Sequence, residues 1–247
     1  MAMFRSGNPA LRGDTFTSVP RVHGQEAMTL PGTVNKTGIS LLLLLAAAAV
    51  TWNTMGSPVT TVFLLLGFFG GFVTALVIVF KKVWAPFLTP VYAVCQGLAL
   101  GGISAFYEAQ FPGIVINAVA LTFGTLGVLL LAYKSGLVRA TENFKLGLFA
   151  ATGAIALIYL VSFVLRLFGK NIPYIHDSGL IGIGFSLFVV VIAALNLVLD
   201  FDFIEKGSAV GAPKYMEWVG AFGLLVTLIW LYLEFLRLLA KLQSRKR

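Results

Sequence analysis

The side chains in this sequence that could do chemistry are few, and most are carboxylates. The segment Asn196-Leu197-Val198-Leu199-Asp200-Phe201-Asp202-Phe203-Ile204-Glu205-Lys206 sets acids at the end of a long apolar run. An acid at membrane depth is costly and persists where it is paired or used. Helical spacing separates these acids from one another. Asp202 has Lys206 four residues on, Glu217 has Lys214 three residues back, and Glu234 has Arg237 three residues on, all spacings that bring side chains together on a helix. Asp200 has Phe203 and Ile204 at those positions and Asn196 one turn back. With the span ending near Leu199, Asp200 falls at a helix C-terminus, where the backbone's partial negative charge disfavours a carboxylate. It is therefore a candidate proton or cation switch, or else one of a group of acids capping the span in the wet interface.

Such a switch needs a partner from another helix. Glu234 on the last span could share a proton with Asp200, and Glu217 at the start of that span is the alternative. Two facing carboxyls can hold one proton between them or a hard cation such as calcium. Asp200 with Glu234, or with Glu217 in its place, is a candidate calcium site.

Other chemistry is poorly supplied. His23 and His176 are the only histidines and lie far apart in the sequence, so a histidine-based triad or metal site has no support. Cys95 is the single cysteine, which rules out an internal disulfide and a cysteine metal cluster. No glycine-rich phosphate loop follows a strand. The sequence predicts neither an enzyme nor a bound cofactor.

The elements that must position these acids are apolar helices. Of 247 residues, 58% are hydrophobic and 11% charged, too few charges to wet the surface of a soluble domain. Apolar runs lie at roughly 38–55, 58–80, 88–106, 113–133, 145–168, 179–199 and 216–238, each near the length that spans a bilayer. The fold class predicted is all-α, a polytopic membrane protein built as a seven-transmembrane-helix bundle. Residues 1–37 read as a polar, flexible tail, 38–240 as the membrane domain and 241–247 as a basic tail.

The net charge of +8 does not point to nucleic acid. The basic residues flank the apolar runs, where they meet lipid headgroups and set topology. Arg5, Arg12, Arg21 and Lys36, then Lys81 and Lys82, then Lys134, Arg139 and Lys145, then Lys206 and Lys214 fall on alternate connections, so the N-terminal tail is expected on the cytoplasmic side. Arg245, Lys246 and Arg247 oppose this pattern; either the earlier spans dominate or the last helix enters and returns.

Within the spans, Gly97-Leu98-Ala99-Leu100-Gly101 has the spacing that lets two helices approach closely. Gln96, Asn117, Thr122 and Ser186 are expected to make interhelical hydrogen bonds. Glu108 reads as a surface loop acid, and Trp52, Trp84 and Trp218 as the aromatic belt.

Three stretches carry a family resemblance: Tyr92 through Ser104, Leu199 through Glu205, and Leu231-Tyr232-Leu233-Glu234-Phe235-Leu236. They look like the Bax inhibitor (transmembrane Bax inhibitor motif) family, in particular a bacterial branch with a long polar N-terminal tail. Asn8-Pro9-Ala10-Leu11 and Thr33 through Gly38 are similar to that tail. The resemblance implies a seven-helix bundle with the last helix in the middle, in a bacterial cytoplasmic membrane. It also implies a pH-sensitive calcium leak gated by an aspartate on each of helices six and seven. Asp200, with Asp202 as alternative, resembles the first aspartate; Glu234 resembles the second, one methylene longer and displaced along its helix. Gln96 stands where many relatives have Glu. The functional expectation is a proton-regulated calcium leak, with a non-conducting regulator of another membrane protein as the alternative.

Overall fold

A computed structural model describes residues 27–169 and 179–246; the polar tail up to residue 26, His23 and His176 lie outside them. Apolar sequence that cannot leave a peptide group unpaired in lipid folds as helix, and the described residues form seven. They are α1 (Leu30–Trp52), α2 (Pro58–Phe80), α3 (Ala85–Gln110), α4 (Ile114–Lys134), α5 (Glu142–Leu167), α6 (Leu180–Ala209) and α7 (Met216–Lys246), with a short 3-10 turn, Lys82–Trp84, ahead of α3. All seven are long and apolar enough to cross a membrane. Local chemistry fixes their starts. Thr29, Ser57 and Thr141 each accept a hydrogen bond from an N–H of the first turn, and proline opens α1 and α2, where its missing donor costs nothing.

The last helix occupies the centre, as expected. α7 packs against α1, α3, α4 and α6, and 78% of its apolar stretch is buried inside the bundle, against 17% for α2, α4 and α5. α1, α2 and α3 form a tight group on one side. Gly97 and Gly101 are the reason α1 and α3 can approach: a Cβ on Gly97 would stand 2.3 Å from the carbonyl oxygen of Leu44, and one on Gly101 2.2 Å from that of Ala48. The close-contact reading of this pair holds, and the contact is internal. On the other side α5 packs on α6, with Leu148 and Ile155 against Val189, Ile192 and Leu199.

Three boundaries differ from expectation. α1 begins at Leu30 rather than 38, because its polar first turns face inward: Thr33 and Thr37 are buried, which hydropathy does not register. α6 continues to Ala209 rather than ending at Leu199. Asp200 is thus about two and a half turns from the helix end, and the helix-terminus argument for its chemistry does not apply. α7 runs on through Lys246, so 241–246 is helix rather than tail. Its 31 unbroken residues span about 46 Å, enough for a full crossing without a return.

Candidate functional site

Asp200 is fully buried on α6. The hydroxyl of Thr227, on α7, donates to its Oδ2 at 2.5 Å. One turn back, Asn196 donates through Nδ2 to the hydroxyl of Thr152 on α5, at 3.0 Å, and to the carbonyl of Ile192, at 2.8 Å. The middle of the bundle therefore holds an acid, an amide and two hydroxyls shared among α5, α6 and α7.

The other candidate acids lie elsewhere and carry cations. Glu234, also buried, accepts from Arg237 Nη1 at 2.6 Å, from the hydroxyl of Tyr159 at 3.0 and 3.1 Å, and from Trp230 Nε1 at 3.3 Å. The Arg237 guanidinium lies over the Tyr159 ring, 4.9 Å from its centroid. Glu217 is fully buried at the start of α7. It takes an ion pair from Lys36 on α1, another from Lys214 at 3.0 Å, and hydrogen bonds from the N–H and hydroxyl of Thr29 at 2.9 and 2.8 Å. A bond from Met28 N–H to the Ala212 carbonyl, 2.6 Å, completes this seam between the entry to α1 and the α6–α7 turn. Asp202 sits between Lys206, 2.6 Å away, and Lys145 on α5, 3.2 Å away; Lys145 also reaches Glu142 at 3.0 Å.

The structure thus bears out the three local ion pairs expected from helical spacing and brings no two of the candidate acids together. Across the α6–α7 interface it is Thr227 that donates to Asp200. Along α7, Thr227 lies about 10 Å from Glu234 and about 15 Å from Glu217.

Several contributors escaped the sequence reading. Lys145, Thr152 and Tyr159 recur every seventh residue of α5, and each meets a polar partner on α6 or α7. That spacing is visible in the sequence; the partners are not. Thr227, a lone hydroxyl in an apolar run, gave no signal. Glu108 is not a loop acid: it accepts from the N–H groups of Gly113 and Val115, at 2.6 and 3.1 Å, and caps the start of α4. Of the polar residues expected to bridge helices, Ser186 accepts from Lys241 of α7 at 2.8 Å. Asn117 and Thr122 bond to carbonyls of their own segment, Gly113 and Ala118.

No curated protein and no solved structure matches this chain. A family model described as Bax inhibitor 1 like matches residues 8–244, nearly the whole chain. With seven apolar helices, the last of them buried among the others, that match fixes the assignment: the chain is an integral membrane protein of the Bax inhibitor 1-like family.

Proposed function

We propose that this protein is a proton-regulated cation leak, with calcium as the cation to test first, gated at one acid rather than at a pair. The observation that carries the reading is the hydrogen bond between Thr227 and the fully buried Asp200. A carboxyl group at this depth is tolerable while protonated, and charging it there costs several kcal/mol. Loss of the proton would favour separation of α6 from α7 and entry of water or a cation to solvate the charge. Thr227 supports this role because a hydroxyl can donate to the carboxylate or accept from the acid, so the contact persists in both states of Asp200. Asp202, Glu217 and Glu234 fit a different role in the same reading. Each is neutralised by lysine or arginine, and these pairs tie helices and turns together.

The test is calcium entry into dye-loaded liposomes containing the purified protein, at about pH 6 and about pH 8, on either side of neutrality. Flux that rises with pH, and loses that rise in Asp200→Asn, is the expected result. Absence of flux at both values from inserted, folded protein overturns the leak and favours a non-conducting regulator that binds another membrane protein.

A further inference from the structure

Between α1 and α4 lies a long crevice, reached by the acid clusters only at its rim, where Asp202 and Glu205 stand. Both helices pack on α7 but scarcely on each other. Two cavities open along this line. One, of about 890 Å³, reaches from Leu30 and Val34 past Leu41 to Leu126, Leu130 and Leu224. The other, of about 410 Å³, also begins at Leu41 and continues past Leu45 and Val119 to Trp52. Together they follow α1, whose 23 residues rise about 35 Å, roughly the thickness of a hydrocarbon core.

Polarity along the crevice is one-sided. The end near Trp52 is walled almost wholly by apolar side chains. The other end carries Lys134, Arg139, Thr141 and Tyr133 at its mouth. Among the described residues neither Lys134 nor Arg139 forms an ion pair, and both are exposed. The acids at the same rim are already engaged, Asp202 by Lys145 and Lys206 and Glu205 by the hydroxyl of Tyr133. Two available cations therefore stand over a long apolar trough.

We propose that the α1–α4 crevice is a binding site for one anionic phospholipid, with its headgroup phosphate at Lys134 and Arg139 and an acyl chain lying past Leu41 toward Val119. From Lys134 to Val119 along α4 the trough is about 22 Å long, within reach of one acyl chain, and its basic mouth matches an anionic headgroup. The proposal is independent of whether the protein conducts ions.

The experiment uses the full chain in neutral-detergent micelles, titrated with dioleoylphosphatidylglycerol or dioleoylphosphatidylcholine, and reads retained lipid by native mass spectrometry. Two juxtaposed cations predict about tenfold preference for the phosphatidylglycerol. The double variant Lys134→Gln/Arg139→Gln should lose that preference. Lys81→Gln/Lys82→Gln, which removes the same charge away from the crevice, should keep it. Val119→Trp, which fills the apolar end, should reduce retention of both lipids. Equal retention of the two lipids by the unmodified chain overturns the proposal. So does equal loss of preference in both double variants, which would assign it to general surface charge. Retention unchanged by Val119→Trp, or a second copy of the chain found in place of lipid, also overturns it.

Discussion

Thr227 and Asp200 meet across the α6–α7 interface, hydroxyl to carboxyl oxygen at 2.5 Å. The hydroxyl, unlike a second carboxylate, adds no charge to this interface.

Replacing Thr227 by Val keeps the shape and removes the donor. With a buried polar group left short of a partner, the bundle should lose about 1–3 kcal/mol, read as a lower unfolding midpoint in micelles. Thr227→Asp sets two carboxyls face to face, which titrate in two separated steps. The pH profile of flux in liposomes should then broaden from one step to two; a profile that stays as a single step would show that position 227 does not face the sensing acid.

Gly32 offers a test of the seam between α1 and α7. A Cβ at this position would stand 2.2 Å from Oε1 of Glu217, so Gly32→Ala must push the carboxylate away from Lys36 and Thr29. Such overpacking typically costs about 1–3 kcal/mol. Gly38→Ala, on the same helix with nothing within 4 Å of the added atom, should be neutral or stabilising by up to about 1 kcal/mol. Thermal unfolding of the two variants side by side checks the contrast.

The Tyr159–Glu234–Arg237 cluster predicts an order of effects. Tyr159→Phe removes one donor to a carboxylate that keeps its arginine, and should cost about 1–2 kcal/mol. Glu234→Gln takes the charge from the one buried acceptor that Tyr159, Trp230 and Arg237 share and should cost more, because three donors lose a charged partner at once. Denaturation that ranks Tyr159→Phe as the more damaging substitution would contradict the geometry.

What could be read from the sequence was what one helix decides alone. The apolar runs located the helices, and three- and four-residue spacings located the pairs Asp202–Lys206, Glu217–Lys214 and Glu234–Arg237. Gly97 and Gly101 announced a close crossing because only glycine makes one cheap. What depends on how one helix slides and turns against another was not readable. Hydropathy says nothing about register, so it could not set Thr227 against Asp200 or Lys36 against Glu217. It also ended α6 too early, because it scores Asp200 and Asp202 as exits from the membrane while the bundle buries Asp200 and ties Asp202 to two lysines.

The central position of α7 has a consequence for how the protein is made. The helix on which α1, α3, α4 and α6 all pack is the last of the seven to leave the ribosome. Until it is inserted, the inward-facing polar residues of the earlier helices, Lys36, Thr89 and Ser104 among them, lack the α7 groups they later meet. The α1–α3 group can assemble early, but α6 must wait in the bilayer with Asp200 unanswered by Thr227. Biogenesis of this bundle therefore ends with its keystone, and a chain arrested before Met216 leaves six helices around an empty axis.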